Sequence, residues 1–511
     1  MKKILSILFS RMIIFGICIA FQIIALIIML LKFNDYFVYF YSICTLLSFI
    51  VILWILNNRD NPAYKIAWIV PILIFPIFGG LFYLMFGHVK LGRKERKELT
   101  SLQNEIDRVL IQDPNIMKEL QDTDKHIANQ AEYILKNSYF PVWKNTTSEY
   151  LSLGEIKFER ILQELKKAKH YIFLEYFIIE EGIMWNSILE ILIEKVKEGV
   201  DVRVIYDDIG CLVKLPYKYN DTLKKLGIKC QVFNPFVPIL SIRMNNRDHR
   251  KIAIIDGHTA FTGGINLADE YINKVEKFGH WKDSAIMLKG DAVWNFTVMF
   301  LSTWNYLSKT TEDFSKYKPN IHHVDNFDND GFVLPYGDTP LDSEIVGESV
   351  YINMLNKAKD YVYINTPYLI ADNEIINAFC LAAKSGVDVR IVTPHIPDKW
   401  YVHMMTRSYY PMLIESGVKI YEYTPGFVHA KSFVSDDETA VIGTINLDYR
   451  SLYLHFECAT WLYKTKSVLS IKEDYLKTLE LCQEITLEDC AKVKWYTRFM
   501  RSLMRIFAPL L

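Results

Sequence analysis

Two histidine and lysine pairs at matching spacings are the residues of this chain best suited to chemistry. The first copy reads His249-Arg250-Lys251, four residues, Asp256, then Gly263-Gly264-Ile265-Asn266. The second reads His429-Ala430-Lys431, four residues, Asp436, then Gly443-Thr444-Ile445-Asn446. Residues two apart on a strand point to the same side, so each copy presents an imidazole beside an ammonium. One such pair would read more simply as a solvated strand edge. Two that can face each other suit displacement at a phosphodiester: one imidazole attacks phosphorus, and the other moves the proton of the leaving or entering alcohol. Lys251 and Lys431, helped by Asn266 and Asn446 as substrate-binding amides, would neutralise the non-bridging oxygens.

The elements that must hold these residues are legible around them. Ile252 to Ile255 is an apolar strand run, Asp256-Gly257 is a hairpin turn signal, and Thr259 to Thr262 is the returning strand. Asp256 and Asp436 belong to the motif's catalytic set by pattern, yet their place at the turns reads as structural. The repeat extends further. Leu165 to Phe173 matches Leu355 to Tyr363, Gly199 to Val204 matches Gly386 to Ile391, and Gly227-Ile228-Lys229 matches Gly417-Val418-Lys419. Each half therefore reads as an α/β unit that ends in the motif hairpin. The first half carries ten extra residues between its last matched glycine and its histidine, within 235–247, and that apolar insertion is a candidate lipid-entry rim or water barrier.

The twin motifs and their flanks resemble the phospholipase D superfamily, in its bacterial cardiolipin synthase branch. The resemblance runs over essentially all 511 residues and includes Ala67-Trp68, Pro76, Gly79-Gly80, Phe86-Gly87, Trp281-Lys282-Asp283, Thr366-Pro367-Tyr368 and Gly426-Phe427-Val428 before His429. It implies an α/β fold of two tandem phospholipase D-like domains forming a pseudo-twofold pair, preceded by an α-helical membrane region. It also implies phosphatidyl transfer between two phosphatidylglycerol molecules through a phosphohistidine, giving cardiolipin and glycerol. His249 is then the nucleophile and His429 the acid, an assignment on which the residues alone are symmetric. The carboxylates implied to orient the imidazoles are Asp283, 34 residues after His249, and Glu457, 28 after His429. A hydrolase using water, or another phosphatidyltransferase, would need the same residues. A non-catalytic membrane scaffold is remote, because neither motif has lost a residue.

Composition fits a membrane enzyme. Hydrophobic residues make up 51% of the chain and concentrate at the amino end. Residues 12–31 and 36–56 are each long enough to cross a bilayer core of about 30 Å, and 66–86 is a third apolar run broken by prolines and glycines. Only two crossings, with the third re-entrant or interfacial, leave every basic cluster on one side. The expectation is a multi-pass protein of the bacterial cell membrane with its catalytic domains in the cytoplasm. Residues 1–87 form the membrane region, 88–130 a charged linker, 131–325 and 326–490 the two domains, and 491–511 a basic amphipathic helix suited to anionic lipid. The net charge of -1 gives no sign of a nucleic-acid partner. Eight scattered cysteines and twelve histidines without ligand spacing give no metal site and no cofactor.

Overall fold

The computed structural model describes residues 24, 27–28, 37–58, 61–75, 79–80, 83, 106–236, 245–322, 327, 331–342 and 344–510. They fall into two compact units. One draws on residues within 1–91, 234–246 and 503–511, and the other on 92–233 and 247–502.

In the first unit, helices Phe37–Asn57 and Pro62–Ile74 bury Val51, Ile55, Ile72 and Tyr83 together. Trp54 and Trp68 meet the Tyr83 ring edge-on at 5.8 and 5.3 Å. Asn61 starts the second helix by accepting from the Ala63 amide at 2.9 Å. Leu46, Phe49 and Leu53 of the first helix are exposed. The expected span at 12–31 lies almost wholly outside the described residues, and so does most of the second half of 66–86. The expected span at 36–56 coincides with the charge-free helix Phe37–Asn57. Among the described residues no helix is long and apolar enough to cross a membrane. Residues 237–244 of the apolar insertion also lie outside the described set.

The second unit contains both α/β repeats. The first supplies β1 (Thr146–Leu151), β2 (Tyr171–Tyr176), β3 (Asp201–Asp207), β4 (Lys229–Phe233), β5 (Lys251–Ile255), β6 (Thr259–Gly263), β7 (His280–Lys282) and β8 (Ala285–Gly290). The second supplies β9 (Phe332–Asp338), β10 (Tyr361–Asn365), β11 (Leu369–Ile370), β12 (Asp388–Pro394), β13 (Lys419–Tyr423), β14 (Gly426–Val428), β15 (Ser432–Ser435), β16 (Thr439–Gly443), β17 (Leu447–Asp448), β18 (Glu457–Tyr463) and β19 (Cys482–Ile485). One sheet has the order β1-β8-β6-β5-β2-β3-β4, and the other β9-β18-β16-β15-β10-β12-β13-β19. Apart from β19 the orders correspond strand for strand, so the sequence repeat is a repeat of topology. Both sheets are mixed: β2-β3-β4 and β10-β12-β13 run parallel, while the motif hairpins β5-β6 and β15-β16 are antiparallel.

The motif strands are buried throughout, which is why Ile252 to Ile255 reads as a continuous apolar run rather than an alternating one. Residues 114–138, placed by composition in the linker and the start of the first domain, are two helices, Pro114–Thr123 and Lys125–Ser138. The second of these buries Ile127, Ala131 and Ile134 and donates from Gln130 to the Val350 carbonyl in the second repeat.

The motif aspartates act at the hairpin turns. Asp256 and Gly257 have φ of 50° and 70°, and Asp436 and Asp437 have 54° and 58°, left-handed pairs that open the three-residue turns joining Ile255 to Thr259 and Ser435 to Thr439. The Asp256 carboxylate accepts from the amides of Lys169, His170 and Tyr171 at 2.8 to 2.9 Å. Asp436 accepts from those of Lys359, Asp360 and Tyr361 at 2.9 to 3.0 Å. Each therefore ties the turn to the entry of the neighbouring strand at the far end of the motif strand from the histidine, so neither belongs with the reacting groups. Removing a carboxylate that satisfies three amides costs about 2 kcal/mol or more. Asp256→Ala is expected to lower the thermal unfolding temperature of the solubilised protein by several degrees. Asp436→Ala should lower it less, because Asp436 is less buried than Asp256. An unchanged melting temperature for Asp256→Ala would show that the clamp contributes nothing.

Candidate active site

Strand β5 begins at Lys251, so His249 lies just before it, where the chain leaves the first sheet and docks on the second repeat. The His249 amide donates to the Phe456 carbonyl at 2.9 Å, and the Phe456 amide to the Arg247 carbonyl at 2.8 Å. The second histidine is placed reciprocally. Strand β14 pairs in parallel with β7, and the His429 amide donates to the Lys282 carbonyl at 2.6 Å. Each bridge is followed directly by a carboxylate, Glu457 after Phe456 and Asp283 after Lys282.

The carboxylates are consequently exchanged between halves. His249 Nδ1 lies 2.9 and 3.0 Å from the two oxygens of Glu457, and His429 Nδ1 lies 2.7 Å from Asp283 Oδ2. The succession read from the sequence, Asp283 after His249 and Glu457 after His429, is thus not the pairing in space. Glu457 also accepts from Ser451 Oγ at 2.5 Å and from Thr444 Oγ1. These contacts hold Glu457 against Nδ1, and in its ionised form it accepts the Nδ1 proton and leaves His249 Nε2 with its lone pair. The position matching Thr444 is Gly264, and a Cβ there would lie 2.1 Å from Asp283 Oδ1 and 2.8 Å from the His429 carbonyl oxygen. The glycine provides the room in which the shorter carboxylate reaches its imidazole.

Lys251 and Lys431 are buried and fold back to donate to the carbonyls of His249 and His429 at 2.6 and 2.5 Å. Burial lowers Lys251 to about 8 against the pull of Glu457, and Lys431 to about 7 against that of Asp283. Burial also lowers both imidazoles, with the lysines acting in the same direction; His429 falls to about 4 and His249 well below its ordinary value. Glu457 rises to about 8 for the same first reason, with Lys251 opposing. The site therefore disfavours charge until an anion enters it.

Several residues lie differently from the sequence expectation. Asn266 is committed to structure, since its Oδ1 accepts from the Ile178 amide at 3.0 Å and its Nδ2 donates to the Tyr271 hydroxyl at 2.7 Å. Asn446 differs in that its buried Oδ1 has no partner. Beside the motifs, Glu175 is fully buried and pairs with Arg250 at 2.6 Å, and Arg407 is held by Glu422.

Two residues had not been singled out. Lys157 is wholly buried, donates to the Ile265 carbonyl at 2.9 Å, and acts electrostatically on Asp283. Its signal was a lysine in register with Ile161 and Leu165 on the core face of a helix. His455 has its ring 5.5 Å from that of His249 and its Nδ1 3.8 Å from Glu457 Oε1. Its signal was a histidine two residues before the carboxylate. His249, His455 and Glu457 bring three potential ligand atoms within 4.8 Å of one another. Arg450, Lys251, Arg247 and Lys399 all place positive charge on His455, however, a field that repels a cation and attracts an oxyanion.

Known proteins share this architecture. The family model described as cardiolipin synthase, PLD-like domain, matches residues 161–289 and again 351–479, and that of the phospholipase D-nuclease N-terminal region matches 46–88. The chain belongs to the phospholipase D superfamily, with two PLD-like domains, and within it to the cardiolipin synthase family. A cardiolipin synthase of Halalkalibacterium halodurans is 36% identical over 91% of this chain and 92% of its own length. Cardiolipin synthase 2 of Bacillus anthracis is 35% identical over 89% and 88%. A protein of Streptococcus mutans described as uncharacterized is 47% identical over 90% and 99%. Among solved structures, phosphatidylserine synthase of Haemophilus influenzae superposes with a TM-score of 0.56 at 14% identity, over 75% of this chain and 97% of that one, a likeness of fold.

A test of the electrostatics follows from the depressed lysines. In the empty protein they bind fewer protons than in the unfolded chain between about pH 7 and the ordinary lysine value, so their burial penalises folding less as pH rises through that window. A bound phosphodiester anion favours their charged forms. Binding of dimethyl phosphate, which does not titrate near neutrality, is therefore expected to take up protons at pH 8 and to weaken above it. Calorimetry in buffers of different ionisation enthalpy reads this directly, and proton release would contradict it.

Proposed function

We propose that the protein is a cardiolipin synthase that transfers a phosphatidyl group between two phosphatidylglycerol molecules through His249. The observation that carries this reading is the pair of buried imidazoles, each oriented through Nδ1 by a carboxylate from the other repeat and each accompanied by a buried lysine. The named relatives support the choice of substrate.

The first step begins with His249 Nε2 attacking the phosphorus of one phosphatidylglycerol. The bond from phosphorus to the headgroup glycerol oxygen breaks, and the imidazolium of His429 gives that oxygen its proton. The arriving phosphodiester supplies the negative charge that raises His429 enough to hold this proton. Lys251 and Lys431 carry charge to the non-bridging oxygens. After glycerol leaves, neutral His429 accepts the proton of a hydroxyl on the second phosphatidylglycerol. That oxygen attacks phosphorus, the bond from phosphorus to nitrogen breaks, and cardiolipin forms. One phosphodiester replaces another, so no nucleotide is consumed, and the residues present supply the positive charge that a metal would bring.

The reading includes membrane attachment through the amino-terminal apolar segments, with the charge-free helix Phe37–Asn57 as one membrane-embedded element and the catalytic repeats on the cytoplasmic face. Helix Trp495–Ile506 exposes Trp495, Tyr496, Phe499, Met500 and Leu503 beside several arginines and suits the interface with anionic lipid.

In phosphatidylglycerol vesicles His249→Ala and His429→Ala are each expected to lower cardiolipin formation at least a thousandfold with insertion intact. His429→Ala should also accumulate a phosphorylated enzyme with the label on His249. Near-normal turnover by either variant, or label on another residue, would defeat the assignment.

A further inference from the structure

Lys157 is a buried amine that the proposed steps do not use. It lies on helix Gly154–Lys167, has no exposed surface, and donates to the Ile265 carbonyl at 2.9 Å and to the Tyr176 hydroxyl at 3.3 Å. Its Nζ also sits 5.0 Å from the centre of the Tyr176 ring. Burying an ammonium is costly, and one carbonyl and one hydroxyl do not offset that cost. A carboxylate lies close by. Ile265 follows Gly264, where a Cβ would come within 2.1 Å of Asp283 Oδ1, so the loop that Lys157 grips is the loop against which Asp283 packs. Burial lowers the Lys157 amine to about 7, with Asp283 pulling it back up and Lys251 pressing it further down.

The second repeat has no lysine at the matching position. Gly347 stands there, where a Cβ would already lie 2.9 Å from Ile445 Cδ1, and the Ile445 carbonyl accepts instead from the phenol of Tyr351 at 3.1 Å. The equivalent carbonyls of the two motifs are thus met by an amine on the Asp283 side and by a neutral hydroxyl on the Glu457 side. The charged and titratable groups that face Asp283 are Lys157, Lys251, Lys431 and His429, together with the phenols of Tyr150 and Tyr271, which burial keeps neutral. Those that face His429 are Lys431, Asp283 and Lys251.

We infer that Lys157 is a positioning residue for the proton donor: gripping the loop beside Asp283, its ammonium draws on that carboxylate, loosens its hold on the Nδ1 proton of His429, and makes His429 a stronger acid than Asp283 alone would leave it. This rests on the synthase reading and deepens it. The entering phosphodiester raises His429 and also favours the charged form of Lys157, which limits that rise. His429 is then able to hold a proton for the departing glycerol oxygen and ready to be neutral when the acceptor hydroxyl arrives. Without the cation the imidazolium would be held more tightly, which helps the first half-reaction at high pH and hinders the second at low pH.

The test follows the phosphoenzyme in the full-length protein across pH. Vesicles of phosphatidylglycerol labelled in the phosphate give the rate of phosphohistidine formation after rapid mixing, and a chase of unlabelled phosphatidylglycerol gives its rate of breakdown. Formation falls at alkaline pH as His429 loses its proton, and breakdown falls at acid pH as His429 gains one. Lys157→Met removes both the charge and the donor to Ile265, whereas Lys157→Gln removes the charge and keeps an N–H donor. Both variants are expected to move the two limbs upward together by about half a pH unit, a roughly threefold change in the proton equilibrium. The position of a limb does not depend on how much of a variant folds. Limbs that stay in place in both variants, that move downward, or that move in Lys157→Met alone overturn the inference, the last because the residue would then serve only the Ile265 carbonyl. Wild-type protein that forms no phosphohistidine would instead overturn the synthase reading, before any variant is compared.

Discussion

Each reacting imidazole is held by a carboxylate from the opposite repeat, and much else in the second unit serves that exchange. A carboxylate that receives an Nδ1 proton decides which nitrogen is free to react, so the chemistry needs both pairs formed at once. Because Glu457 follows a bridge to the segment that carries His249, and Asp283 follows a bridge to the segment that carries His429, neither site is complete within one repeat. Duplication alone would produce two half-sites. The crossed backbone bridges make them one.

The second constraint is desolvation. Two lysines, two histidines and two carboxylates share a region with almost no exposed surface, where each isolated charge is unfavourable and only their mutual compensation permits the arrangement. Such a group holds its charge loosely. An entering phosphodiester supplies the negative charge the site lacks, strengthens every lysine contact, and raises the imidazole that must donate a proton. The same burial makes the fixed interactions valuable: Thr444 and Ser451 hold Glu457, Gly264 admits Asp283, and Asp256 and Asp436 secure the hairpins from the far end.

Much of this was legible because it is local. A histidine and lysine two apart before an apolar run, an Asp-Gly turn and a returning strand specify the motif hairpin without reference to the rest of the chain, and β5 and β6 appear where that pattern puts them. The repeat of sequence became a repeat of strand order for the same reason. What escaped was long-range. Spacing says that Asp283 follows His249 by a fixed number of residues, but not that its strand docks on the other half. The contacts of Asn266 with Ile178 and Tyr271, of Glu175 with Arg250, and of Lys157 with Ile265 likewise depend on elements brought together only by folding.

The central claim is that the two histidines carry out two successive in-line displacements at one phosphorus. Stereochemistry tests it most directly. A phosphatidylglycerol made chiral at phosphorus with sulfur and heavy oxygen would be converted in vesicles by the wild-type protein, and the configuration of the product read by phosphorus NMR. Two displacements through a phosphohistidine predict overall retention. Inversion would mean that the acceptor attacks the donor directly, and would contradict the account.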